Sequence, residues 1–497
     1  MKPFAVFERQ PPGRSPAAIS AWFFLRLLGV VYAVAFVSLG KQILGLVGSH
    51  GIVPAASLLD AAHRQFGPER YWLLPTLSWW SASDRSLQWL CGAGAWASVL
   101  LLLDVAPALM AAAVWVLYLS LVTVCREFLW FQWDSLLLEA GFLAIFLSPL
   151  RLLPQPGRDP LPSHSVTWLL RWLLLRLMVS SGAVKWLSGD AAWRHLTALQ
   201  YHYETQPLPT WIGWYAHQLP GWWQALSAYG MFLIELGVPF LIFWPGRPRR
   251  MACGVLVVFQ GLILATGNYG FFNLLAIALC VLLLDDRSWP AWWQAWWTRR
   301  QAQAHRLRRW PAWIIGPVTA LVLLLTTVPV AGLWGVRGSL LGPLARLYGW
   351  AEPFRVVNSY GLFAVMTTSR PEIILEGSRD GQTWLAYEFK DKPGELTRPP
   401  RFVAPHQPRL DWQMWFAALG TYERNRWFIA FCERVLRGTP EVLSLLSQNP
   451  FPDSPPRYLR ATVYDYRFTD VATRRATGAW WRRTERGLYC PVMSLSE

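Results

Sequence analysis

Long apolar runs separated by short polar ones fill the first two-thirds of the chain. They cover residues 21–46, 86–103, 106–125, 128–150, 166–187, 225–244, 251–266, 271–284 and 313–334. A helix crosses a bilayer with about 17–25 apolar residues, so nine crossings, give or take two, are expected. The run 271–284 is short enough to read equally as a re-entrant or buried piece. The first run exceeds a signal-peptide core and lacks a small-residue cleavage site, which predicts a retained helix. Residues 47–85 read as a loop with a surface helix at 54–64.

After residue 334 the pattern shifts to short alternating stretches. Residues 372–378 and 383–389 flank Arg379-Asp-Gly381 and predict a β-hairpin. Helices are expected over 411–419 and 425–436, and strands over 458–468 and 479–489. The predicted fold class is a polytopic α-helical membrane bundle over 1–349, followed by a soluble extracytoplasmic α+β domain over 350–497 that is large enough for its own core.

Composition supports that division. Hydrophobic residues make up 54% of the chain and charged residues 15%, too apolar for a wholly soluble protein. The 33 tryptophans fit a membrane protein because indole favours the membrane interface, and many lie near segment ends, as Trp79, Trp80, Trp292, Trp293, Trp296 and Trp297 do. The net charge is +16, divided as +12 before Trp350 and +4 from it onward. The basic residues stand between apolar runs without a nucleic-acid-binding module, so they orient helices and exclude nucleic acid as the partner.

Loop charge sets the orientation. Lys2, Arg9, Arg14, Arg151, Arg158, Arg247, Arg249, Arg250, Arg287, Arg299, Arg300, Arg306, Arg308 and Arg309 fall on one side, against Arg64, Arg70, Arg85, Arg126, Lys185 and Arg194 on the other. The positive-inside rule then puts the N-terminus in the cytoplasm and everything after residue 334 outside.

Run 128–150 carries Asp134 and Glu139, and a carboxylate in hydrocarbon needs a partner or a water-filled cavity. At about 1.5 Å of rise per residue, Glu139, Arg176 and Glu235 reach the same mid-membrane depth. A cluster of Glu139 and Glu235 around Arg176, with Asp134 as a further member, is expected. Three readings stay open: a structural ion pair that fixes helix register, a proton or substrate pathway, or helices that are not neighbours.

Loop 188–224, with Tyr201, His202, Tyr203 and Glu204, reads as a compact cap on the outer face. His-x-Glu is a weak metal signal, and a packed, hydrogen-bonded loop is the default. Segment 403–416 looks exposed and mixes His406, Arg409 and Asp411 with Trp412 and Trp415, which suggests a surface that packs on its own sheet or receives another protein. No GxSxG, HExxH or glycine-rich phosphate loop occurs, so no catalytic residue, metal or cofactor is assigned. Six cysteines show no CxxC spacing. Cys432 and Cys490 are the pair able to form a disulfide if the soluble part is extracytoplasmic, and redox help to a client is a weak third idea.

Four segments carry a family resemblance: Glu127-Phe-Leu-Trp-Phe-Gln-Trp-Asp-Ser-Leu-Leu-Leu-Glu139, Tyr201-His-Tyr-Glu-Thr-Gln-Pro-Leu-Pro209, Asn358-Ser-Tyr-Gly-Leu-Phe-Ala-Val-Met-Thr-Thr368 and Ala404-Pro-His-Gln-Pro-Arg-Leu-Asp-Trp-Gln-Met-Trp-Phe-Ala-Ala-Leu419. In order and over most of the chain they resemble the lipase maturation factor family. The resemblance implies a polytopic protein whose animal members reside in the endoplasmic reticulum membrane, with the C-terminal region in the lumen, and help secreted homodimeric lipases reach an active fold. The Arg-, Ala- and Trp-rich composition suggests a bacterial member, with the soluble domain in the periplasm.

The expected function is a membrane-anchored folding factor for an exported client, with membrane lipids as its surroundings. The alternative is a membrane enzyme or carrier acting on a lipid or quinone through the mid-membrane cluster. A lipid-sized cavity beside Glu139, Arg176 and Glu235 would favour the alternative.

Overall fold

The computed structural model describes residues 17–302, 310–336 and 342–495. Lys2, Arg9, Arg14, Arg306, Arg308 and Arg309, which enter the charge count above, lie outside the described residues.

The apolar runs fold as helices α1 (Ala18–Gly40), α2 (Asp84–Leu102), α3 (Pro107–Cys125), α4 (Gln132–Leu147), α5 (His164–Leu187), α6 (Gly221–Leu236), α7 (Arg247–Thr266), α8 (Phe272–Val281) and α9 (Ala312–Leu333). Among the described residues, five stretches are long and apolar enough to cross a membrane: Ala18–Gly40, Pro107–Phe128, Gly221–Phe243, Arg247–Thr266 and Ala312–Leu333. The protein is therefore a multi-pass membrane protein, but length and composition do not confirm nine crossings. The helices α4 and α8 have only 16 and 10 residues. Helix α5 carries Arg171, Arg176 and Lys185, and α2 opens on Asp84 and Arg85. Beyond α6 the chain tightens into the 3-10 turn Val238–Phe243, where Pro239 has no N–H to continue an α-helix.

Helix α1 is the central post. Phe24, Leu28, Tyr32, Phe36 and Leu39 form one fully buried stripe at helical spacing. Close packing against α2 depends on a small residue, since a Cβ at Gly94 would sit 2.2 Å from the Phe36 ring. The free N–H groups at the start of α1 are capped from far along the chain, where Asp286 accepts from Ile19 N at 2.9 Å and Ala18 N at 3.3 Å. Trp22, Trp289, Trp293 and Trp297 gather at this end.

The C-terminal part is a five-stranded antiparallel sheet in the order β3-β2-β1-β4-β5, with β1 Arg370–Ser378, β2 Leu385–Phe389, β3 Leu446–Gln448, β4 Tyr458–Phe468 and β5 Trp481–Met493. The predicted hairpin is present, with Leu375 opposite Tyr387, and its turn uses Gly381 at φ 77°. Central β1 is buried on both faces, while edge strand β5 alternates its register with bulges and exposes Arg482, Arg483 and Glu485, which discourages further strand pairing. Helices α10 (Arg409–Ala418) and α11 (Arg426–Leu436) cover the sheet on the side toward the bundle. One continuous apolar core runs from α1 through Val357 and Leu375 to Cys490. Cys432 and Cys490 are buried free thiols, so no disulfide joins them.

Candidate functional site

The four segments singled out in the sequence, spread between residues 127 and 419, meet in one buried seam between bundle and sheet. Its centre is a bidentate ion pair. Arg409 in the first turn of α10 donates to Asp134 Oδ2 at 2.7 Å and to Oδ1 at 2.9 Å, and also to the Phe128 carbonyl at 3.1 Å. Asp134 is fully buried in the first turn of α4, where the helix dipole favours a negative charge, and it also accepts from Tyr118 Oη at 2.5 Å.

One helical turn deeper, Glu139 accepts from Arg176, and its second oxygen takes Asn358 N at 2.8 Å, Asn358 Nδ2 at 3.2 Å and Tyr360 Oη at 2.7 Å. Arg176 in turn donates to the Asn358 carbonyl at 3.1 Å. The expected pairing of Glu139 with Arg176 is therefore present. Glu235 does not join it. Its carboxylate binds Lys185 at 2.7 and 2.8 Å, because Lys185, counted above among outer-side charges, turns inward from the last turns of α5. The expected single cluster is three separate ion pairs.

Segment 403–416 is not the exposed surface expected of it. Arg409, Asp411, Trp412 and Trp415 are all buried, and His406 is half-buried. The end of α1 clamps the segment: Ser38 Oγ lies 2.8 Å from His406 Nδ1, and Gln42 donates to the Gln407 carbonyl at 2.9 Å and accepts from Arg409 N at 2.8 Å. Asn268, in the break between α7 and α8, accepts from Val403 N at 2.7 Å and Ala404 N at 3.0 Å. Asp411 faces the sheet domain, accepting from the Asp391 and Lys392 amides at 2.7 and 2.9 Å, and burial raises its carboxyl above the usual range. Trp412 packs edge-on against Trp133, and Trp415 donates to the Thr205 carbonyl at 2.8 Å.

The predicted cap over 188–224 contains three short helices, Ala191–Arg194, Leu199–Thr205 and Trp211–His217, and forms the other wall of the seam. Arg370 reaches across from β1 to the Glu204, Gln206 and Pro207 carbonyls while pairing with Glu372 at 2.6 Å. Glu204 accepts from Phe468 N at 2.9 Å, and His202 Nε2 lies 3.1 Å from Tyr269 Oη. Tyr203 is half-buried against the sheet cluster, and Tyr201 packs under the cap. Among the described residues no group of His, Cys, Asp and Glu side chains could hold a metal ion.

Two cavities flank α5. One of about 610 Å3 borders Arg176, Asn358 and Tyr360; the other, of about 510 Å3, borders Lys185, His202 and Glu235. Sequence reasoning missed Gln42, Asn268, Asn358 and Arg370 as seam residues. The signal available for Asn268 is the polar break Gly267-Asn-Tyr-Gly270 between two apolar runs, and Asn358 lies in one of the four resembling segments.

Residues 19–291 match the model described as "Lipase maturation factor transmembrane domain", and residues 356–491 match "Lipase maturation factor C-terminal domain". The chain belongs to the lipase maturation factor family. Similar members are lipase maturation factor 2 of Gallus gallus, 37% identical over 98% of this chain and 82% of that protein, and that of Homo sapiens, 36% identical over 95% and 82%. Lipase maturation factor 1 of Bos taurus is 37% identical over 97% of this chain and 93% of its own length. These family members are vertebrate, and the bacterial, periplasmic placement expected from composition is not borne out. No solved structure matches. Both family models take in parts of the seam, the first holding Asp134, Glu139 and Arg176 and the second Asn358 and Arg409.

Proposed function

We propose that this protein is a membrane-anchored maturation factor for secreted lipases, resident in the endoplasmic reticulum membrane with its sheet domain in the lumen. The names of its relatives support the client class. The observation that carries the reading is the seam: a sheet domain welded to a membrane bundle by the buried Arg409–Asp134 ion pair and the hydrogen bonds around it presents its outer face at a fixed height above the bilayer. The bias of basic loop residues supports a cytosolic N-terminus, and nine crossings would add α2, which exposes Trp89 and Trp96, and the largely buried α4, α5 and α8.

In this reading His406, Arg409, Asp411, Trp412 and Trp415 set the pose of the sheet domain, and Tyr201, His202, Tyr203 and Glu204 hold its near edge. The client is received on an aromatic ledge formed by Trp211, Tyr215 and Phe402, which are 46%, 48% and 47% exposed and border Arg474 and Trp480. Tryptophan, tyrosine and arginine are the side chains that dominate binding hot spots. The test is secretion of a homodimeric lipase from cells lacking their own maturation factors, with and without this protein. Activity per unit of lipase protein should rise with it and fall again in a Trp211→Ala/Phe402→Ala variant that is expressed normally. Equal specific activity with and without the protein would refute the proposal.

A further inference from the structure

The cavity of about 510 Å3 between α6, α7 and the cap falls within the roughly 300–1,000 Å3 range of small-molecule sites. Its walls are mostly apolar, with Ile234, Phe259 and Phe272 among them. The helices α6 and α7 that frame it touch each other only lightly, and Trp223 and Leu262 at the edge are exposed. On helices of this apolarity the opening faces lipid rather than water.

The polar groups of the cavity narrow the ligand. Lys185 and Glu235 satisfy one another, so the site offers no net charge to an ionic head group. His202 is different. Tyr269 Oη donates to Gln206 Oε1 at 2.8 Å, so at 3.1 Å it is the acceptor for His202 Nε2–H. Burial, with the Lys185 ammonium nearby, pulls His202 down to about 4, which keeps the imidazole neutral at physiological pH. Its Nδ1 is then a lone pair, shielded from solvent and without a hydrogen-bond partner among the described residues. A buried acceptor left unmet is costly, and this one, closed off from the cavity, belongs to a lining residue whose ring must turn slightly for a ligand to reach it.

We propose that the cavity binds a neutral lipid whose head is a hydroxyl group, which enters between α6 and α7, donates to His202 Nδ1 and lays its hydrocarbon against Phe259 and Phe272. Glycerides and sterols share this chemistry. The inference does not depend on the identity of the client.

The test uses the full-length protein in phosphatidylcholine nanodiscs with three photoactivatable diazirine probes: a diacylglycerol, a sterol, and the methyl ether of that diacylglycerol. At least one hydroxyl probe should label peptides within 227–235 and 259–269, and whichever does so identifies the source. The ether should label them about tenfold less, as expected for loss of one buried hydrogen bond. His202→Phe should lower the hydroxyl probe to the level of the ether. Gly230→Trp, at a cavity-lining position where a Cβ meets nothing within 4 Å, should block labelling without disturbing the fold. Equal labelling by the ether, labelling spread evenly over the lipid-facing helices, or a hydroxyl preference that survives both substitutions would overturn the proposal.

Discussion

Replacing Arg409 by Met tests whether the seam holds the two halves together. Arg409 makes three hydrogen bonds of 2.7, 2.9 and 3.1 Å, and its partner Asp134 has no exposed surface. Removing the cation leaves Asp134 hydrogen-bonded but without a counter-charge, and stranding one member of a buried pair costs about 3–5 kcal/mol. Each 1.4 kcal/mol is about a factor of ten in an equilibrium, so release of the sheet domain should become about two to three and a half orders of magnitude more frequent. Hydrogen exchange on the full-length protein in nanodiscs reads this directly, as faster exchange of the amides of 403–411 with little change in α2 and α3. Because the cost lies in the unpaired charge, Asp134→Leu combined with Arg409→Met should recover most of the loss. Exchange within twofold of the parent in Arg409→Met, or a double variant as loose as the single, would refute the argument.

Further outcomes follow from other parts of the fold. Glu139→Gln should loosen segment 356–361, measurable as protease sensitivity there, and a second change of Arg176→Gln should restore part of the loss, since each charge is expensive without the other. His406 is held near pH 4 against an ordinary value of 6.5 by burial and by Lys41, Arg409 and Lys390, so the folded seam takes up its proton less readily than the unfolded chain. Stability from this group is present above pH 6.5 and lost as pH falls toward 4. Asp391, raised to about 6, acts in the opposite sense, so the measurement is the pH dependence of 403–408 exchange in His406→Gln against the parent, and the variant should be flatter. Gly94→Val should destabilise the bundle by about 1–3 kcal/mol in thermal unfolding, because Phe36 must leave its rotamer. Cys432 and Cys490, buried and with thiols raised above the ordinary range, should resist iodoacetamide at pH 8 until the sheet domain unfolds.

Local pattern carried much of the fold. Strands β1, β2 and β4 and helix α11 lie close to where alternation and capping place them, and α4 and α5 meet at the depth that helical rise assigns to Glu139 and Arg176. What was hidden is the contact between halves. Nothing in the periodicity of 128–150 says that its first carboxylate is answered 275 residues later by an arginine beyond the bundle. For the same reason segment 403–416 reads as exposed: its polar groups look solvated until Gln42 and Asn268 take its backbone amides and Asp134 its arginine. Lys185 misled in the other direction, since a cation near a helix end resembles an interfacial charge unless the facing helix brings a carboxylate within reach.

Helix α1 has its beginning closed by Asp286 and its far end tied to residues 406–409. During synthesis α1 leaves the ribosome before α2 to α9, yet the groups that finish it are translated hundreds of codons later. An element made before the helices that pack around it is thus among the last to be secured, and a nascent chain halted before residue 409 would leave α1 half-anchored, open to capture by quality control.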